Sequence, residues 1–180
     1  MIEFGRIIIM LSALMVTSSR AALDIGQQAP IFTAKAAFDG QAVDYSLADE
    51  LRRGPVVLYF YPSAFSTGCS LEANDFAEAI EQFAAAGATV IGVSRDEIDI
   101  QQKFSVTACR GKFKVAADPG LLITRAYDAV MVTRPDYANR ISYVIAPNGT
   151  ILYRYSSLNP GKHIENTLRA VQEWQRTFKN

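Results

Sequence analysis

The chain has 180 residues, 49% of them apolar and 20% charged, the size and composition of one globular domain. Eighteen basic residues balance eighteen acidic ones, so the composition implies neither a nucleic-acid groove nor a polybasic membrane patch. Two cysteines and one histidine fall short of the four ligands of a structural zinc cage, and no metal or organic cofactor is expected.

Arg6 precedes the apolar run Ile7 to Val16. That run is too short for a mature membrane-crossing helix, which needs about 20 apolar residues, and it suits the core of an export signal. Ser19-x-Ala21 offers the small-x-small cleavage site. Glu3 and Arg20 fit the pattern poorly, which leaves an uncleaved anchor or a misplaced start as alternatives. The expected organisation is a leader over residues 1–21 and one domain over 22–180. The expected location is periplasmic, with membrane-anchored or cytoplasmic as alternatives. An exported domain meets an oxidising compartment in which a cysteine pair persists as a disulfide.

From Leu23 onward no repeat or long linker divides the chain. Phe32 to Ala37 and Gln41 to Tyr45 flank Asp39-Gly40, a β-hairpin signal. Ser46-Leu47-Ala48-Asp49 reads as a capped helix start. Pro55 to Tyr61 is a continuous apolar run, as in a strand buried on both faces. Gly68 to Ala86 carries Ala73, Phe76, Ile80 and Phe83 at helical spacing and stops at Gly87. Ala88 to Val93 is a second buried strand and Asp96 to Ala108 a second helix, so the strand–helix–strand order makes a parallel βαβ unit. A short helix is expected over Leu121 to Tyr127. Asp128 to Asn139 reads as a loop that covers a site or a dimer contact. Arg140 to Ala146 and Ile151 to Tyr155 flank Asn148-Gly149, a second hairpin signal. Ile164, Leu168, Val171 and Phe178 mark the buried face of a C-terminal helix. Tyr59, Tyr61, Tyr137, Tyr143 and Tyr153 read as core and rim aromatics.

This order is that of an α/β, thioredoxin-like sandwich: a central mixed sheet flanked by helices, with the first hairpin as an N-terminal extension. Fold alone assigns no function. Cys69 lies between the C-terminal end of a buried strand and the first turn of a helix, the edge at which open α/β sheets bind ligands. Unpaired N–H groups and the helix dipole favour a thiolate there. Position alone leaves open a packed apolar cysteine that happens to begin a helix.

Pro62-x-x-x-Ser66-x-x-Cys69, after Tyr59-Phe60-Tyr61 and before Glu72, resembles the peroxiredoxin signature. Thr67 to Phe76 is most similar to the bacterioferritin-comigratory, or Q-type, branch. The likeness continues through Val90 to Ser94, Ala117-Asp118-Pro119 and Arg140 to Ala146, and spans about Leu23 to Thr177. It implies a thiol-dependent peroxidase in antioxidant defence, acting on hydrogen peroxide and small organic hydroperoxides. Cys69 is then the attacking thiolate. Ser66, in place of the commoner Thr, donates a hydroxyl; Pro62, lacking an N–H, shields the site. Arg140 is the cation beside the sulfur and the leaving oxygen. Glu72 orients Arg140, against the plainer reading of a carboxylate that complements the helix dipole.

The branch often places a second cysteine five positions after the first, but that position is Asn74 here. Cys109 is the remaining candidate resolving cysteine. It falls at the far end of a helix, roughly 20 Å from the Cys69 edge, whereas a disulfide needs Cα atoms within about 7 Å. Its use requires that helix to unwind or a partner chain to supply the thiol. Otherwise Cys109 is packing and an external thiol, thioredoxin-, glutaredoxin- or glutathione-like, reduces Cys69. The chain is expected as a monomer or homodimer. His163, the only histidine, starts the last helix in a polar stretch and reads as solvated. The alternative from another class is a non-catalytic thioredoxin-fold binding or scaffold module.

Overall fold

The computed structural model describes residues 22–178, and the expected leader over 1–21 lies outside them. Strands β1 (Thr33–Phe38) and β2 (Gln41–Ser46) form the expected antiparallel hairpin. Asp39 and Gly40 turn the chain with φ of 46° and 78°, the doubly left-handed turn that matches strand twist. The Ser46 hydroxyl then accepts from Asp49 N–H and caps α1 (Leu47–Leu51). Strand β3 (Val56–Phe60) is buried along its whole length. Its Val57 and Tyr59 pack into one core, and Val56, Leu58 and Phe60 into the other, the two-residue alternation of a strand covered on both faces.

Helix α2 (Thr67–Ala85) ends at Gly87, whose φ is 80°. There Gly87 N–H donates to Ala84 O and Ala88 N–H to Phe83 O, a closure that needs a left-handed residue. Strand β4 (Thr89–Ser94) runs parallel to β3, and α3 (Ile98–Thr107) follows it. No strand is expected after this helix, but Lys114–Ala117 forms β5, parallel to β4 and antiparallel to β1. Four residues with one β-branched side chain give little pattern; pairing on both sides makes the strand. Helix α4 (Leu122–Ala126) comes next.

Asp128 to Asn139 is more than a loop: β6 (Val130–Met131) and β7 (Arg134–Ala138) pair as a small antiparallel ribbon. Pro135 and two charges argue against a central strand, but a two-stranded ribbon with open edges tolerates them. Strands β8 (Ile141–Ile145) and β9 (Ile151–Ser156) form the second hairpin, and a 3-10 turn at Pro160–Lys162 leads into α5 (His163–Phe178). On α5 Val171 is buried, whereas Phe178 is 68% exposed, because the last turn stacks it on Trp174 of its own helix rather than on the sheet.

The sheet order is β2-β1-β5-β4-β3-β8-β9, parallel only across β5-β4-β3. Residues of α2, α3 and α5 share one core and residues of α1 and α4 the other. This is the expected thioredoxin-like sandwich with its N-terminal hairpin. Among the described residues no helix is long and apolar enough to cross a membrane.

Tyr59 sets the α2 layer. Its ring stacks on Phe76 with centroids 4.5 Å apart and lies over Gly92, its register partner on β4. A Cβ at Gly92 would sit 2.7 Å from Tyr59 Cζ. Gly92→Ala is therefore expected to cost about 1–3 kcal/mol through overpacking, read as a lower urea midpoint with an unchanged slope.

Candidate active site

The chain leaves β3 at Phe60, crosses Tyr61 to Ser66 and enters α2, which places Cys69 in that helix's first turn with 1% exposure. Phe65 takes a left-handed φ of 61°, and its ring packs edge-on to Phe104 of α3. Beneath this loop lies an acceptor, Asp96, expected from the sequence only as a helix start. The Asp96 carboxylate accepts from Ala64 N–H at 2.7 Å, Ser94 Oγ at 2.6 Å and Ser63 Oγ at 3.3 Å. Gln101 extends the network, donating to Ser94 Oγ and Ala116 O and accepting from the Tyr61 hydroxyl at 2.7 Å. The one signal available in the sequence was position: Ser94-x-Asp96 follows a buried strand at the ligand-binding edge.

Arg140 arrives by register. Strand β8 is antiparallel to β3 with Ile141 opposite Phe60, so the preceding residue falls where β3 hands over to the Cys69 loop. The guanidinium donates through Nη2 to Cys69 Sγ at 3.4 Å, through Nη1 to Glu72 Oε2, and through Nε to Leu158 O at 3.0 Å. Arg140 is 4% exposed and Glu72 fully buried. Burial disfavours the charge on Arg140, but Glu72 and Cys69 outweigh it and hold its pKa above the usual value. The packing is close: a Cβ at Gly68 would lie 3.2 Å from Nη2. Burial pushes the Glu72 carboxyl up to about 8, against the opposing pull of Arg140.

His163 is not solvated. It is fully buried at the start of α5, with Nε2 2.9 Å from Ser157 O, Nδ1 2.8 Å from Ser142 Oγ, and its ring edge-on to Tyr155. The polar stretch before it is at the surface, but the imidazole turns inward, where Nδ1 meets Ser142 of β8 and Nε2 the Ser157 carbonyl just after β9. Its Nδ1 lies 3.7 Å from Glu72 Oε1, and burial pushes its pKa down to about 4.

The other named residues are placed differently. Ser66 is at the N-cap, exposed, its hydroxyl donating to Ser63 O at 3.2 Å; Pro62 is half-buried in the same loop. Tyr59, Tyr61 and Tyr143 are buried, and Tyr137 and Tyr153 half-buried. Arg95 and Arg134 both lie over the Tyr137 ring, and Arg95 also pairs with Asp136 at 3.0 Å, which ties β7 to the end of β4. Cys109 follows the C-cap of α3, fully buried, and burial pushes its thiol well up. Helix α3 starts from the edge that bears Cys69 and runs back for ten residues, about 15 Å. The two thiols are free and share an apolar core, but no bond joins them. Among the described residues no group of three or more His, Cys, Asp or Glu could hold a metal ion.

Residues 25–154 match the AhpC/TSA family. Peroxiredoxin Q, chloroplastic, of Oryza sativa subsp. japonica is 33% identical over 148 residues, 82% of this chain and 66% of that protein. The corresponding protein of Gentiana triflora is 34% identical with the same shares. The chain thus spans just under two thirds of the length of these relatives. Among solved structures, peroxidoxin BcpB of Mycobacterium tuberculosis superposes with a TM-score of 0.75 at 24% identity, over 83% of this chain and 96% of that one. A PrxQ variant of Xylella fastidiosa gives 0.76 at 22% identity, over 86% and 98%. These two superpositions establish the fold.

The Asp96 clamp has a measurable consequence. Asp96→Ala leaves the Ala64 N–H and Ser94 hydroxyl without their acceptor, which is expected to cost about 1–3 kcal/mol. Native-state hydrogen exchange at Ala64 should accelerate while exchange in the centre of β3 follows only the global loss.

Proposed function

The chain belongs to the AhpC/TSA family, and on that premise we propose that it is a thiol-dependent peroxidase whose attacking group is Cys69. The observation that carries this reading is the Arg140 guanidinium, buried and donating at once to the Cys69 sulfur and to Glu72. A cation held in that way favours thiolate and offers charge to an oxyanion formed beside it. The Cys69 thiolate attacks one peroxide oxygen; the S–O bond forms as the O–O bond breaks. The departing hydroxide or alkoxide takes up a proton, leaving water or an alcohol and a sulfenic acid on Cys69. The 1% exposure of Cys69 favours hydrogen peroxide and small organic hydroperoxides. Ser66 and Pro62 form the rim, one able to turn a hydroxyl toward peroxide, the other lacking an N–H.

The sulfenic acid is returned by thiols: the first displaces water to give a mixed disulfide, and the second releases Cys69 as thiol. The burial of Cys109 beyond the far end of α3 favours an external thiol, thioredoxin-, glutaredoxin- or glutathione-like, over Cys109. Intact mass after one equivalent of hydrogen peroxide separates the routes. Gain of one oxygen supports the external route, and loss of two hydrogens gives Cys109 the resolving role. A non-reducing gel then tells bonds within a chain from bonds between chains. An unchanged mass means a scaffold and ends the peroxidase reading. Cys69→Ser should reduce peroxide consumption to the buffer rate. Arg140→Lys keeps the charge but loses the planar fork, and should slow sulfenic acid formation by about 10²–10³-fold.

A further inference from the structure

Glu72 has two oxygens and only one is accounted for. Oε2 accepts from Arg140, whereas Oε1 is buried without a hydrogen-bond partner. Nδ1 of His163 faces it from 3.7 Å and is also fully buried. The tautomer of that imidazole follows from its other side. Ser157 O can only accept, so Nε2, 2.9 Å from it, carries a hydrogen. In a neutral ring Nδ1 is then a lone pair, which accepts from Ser142 Oγ at 2.8 Å. That lone pair is taken by Ser142, so the ring has no hydrogen for Oε1, and an ionised Glu72 would leave a carboxylate oxygen buried without a donor.

We propose that Glu72 carries a proton on Oε1, and that the neutral His163, by offering that oxygen no donor, keeps the proton there and is thereby a positioning residue for Arg140. Burial pushes the two groups in the directions this requires, Glu72 up to about 8 and His163 down to about 4. With the proton in place Glu72 still accepts from Arg140 through Oε2 but carries no full charge, so the guanidinium charge is offered to the Cys69 sulfur and the leaving oxygen. Loss of the proton turns that charge back toward Glu72. Other titratable groups also face the pair: Cys69 and Asp75 on α2, Tyr59 on β3, Tyr155 on β9, and Arg140 itself.

The kinetic half of this inference rests on the peroxidase reading; the structural half does not. Because the chain has a single histidine, ¹⁵N-histidine labelling reports one imidazole without assignment. Between pH 6 and 9.5 the Nδ1 resonance is expected to step near the point at which Glu72 ionises, and Glu72→Gln should abolish the step. The same pair of measurements in a Cys69→Ser background removes the thiol's own ionisation. Infrared spectroscopy of the unmodified protein, which needs no Glu72 variant to fold, should show a buried carboxylic acid at pH 7 that disappears on alkalisation. An imidazolium signature in its place would put the proton on the ring and overturn the inference. A neutral imidazole with no carboxylic acid at pH 7, or a step that survives Glu72→Gln, overturns the inference. The rate of Cys69 oxidation should then fall several-fold above about pH 8 in the unmodified protein and show no such fall in Glu72→Gln; equal profiles overturn the positioning role. A protonated Glu72 in a chain that does not react with peroxide would sink the peroxidase reading and leave the structural half standing.

Discussion

A guanidinium buried to 4% exposure must find acceptors wherever it donates, and Arg140 finds them on separate parts of the fold. Glu72 and Cys69 come from the first turns of α2, and the Leu158 carbonyl from the connection between β9 and α5. An unpaired cation there would cost several kcal/mol, so these groups are constrained together. The same constraint leaves little room beside the sulfur, as the approach of Gly68 to Nη2 records. Preorganisation of this kind is what a charge-developing reaction uses, because the donors need not reorient when the charge forms.

Strand direction delivers the parts. The parallel pair β3 and β4 opens at one edge, and the antiparallel β8 begins at that edge. The Cys69 loop, Asp96 and Arg140 therefore meet although they are far apart in sequence. Two polar layers support the loop from different sides: the Asp96–Ser94–Gln101–Tyr61 network below it, and the Glu72–His163–Ser142 group behind Arg140. Between the polar layers and the opposite edge the interior is apolar, with Tyr59 stacked on Phe76 and Cys109 among these side chains. That explains why one cysteine meets charge and hydrogen bonds while the other meets only packing.

Features with a local pattern were legible in advance. The hairpin turns, the Gly87 helix stop, the buried β3 run and the Cys69 helix start each follow from a few adjacent residues. Strand β5 was not legible, because Lys114–Ala117 acquires strand character only by pairing with β1 and β4. The β6–β7 ribbon was hidden by Pro135 and its charges. His163 misled for a related reason: its neighbours in sequence are polar and exposed, and its burial depends on Ser142, Ser157 and Tyr155. Asp96 carried a position but no motif.

The sequence by itself determined the element order, the sandwich class, the place of Cys69 at a strand-to-helix edge and the family resemblance, because each rests on residues close together along the chain. The resemblance implied Arg140 beside the sulfur with Glu72 behind it, and the tertiary structure supplies the register that brings them there; it alone decided that Asp96 clamps the loop and that His163 stands behind Glu72. Those relations depend on strand register and on which buried polar groups can satisfy one another, and neither is written in local periodicity.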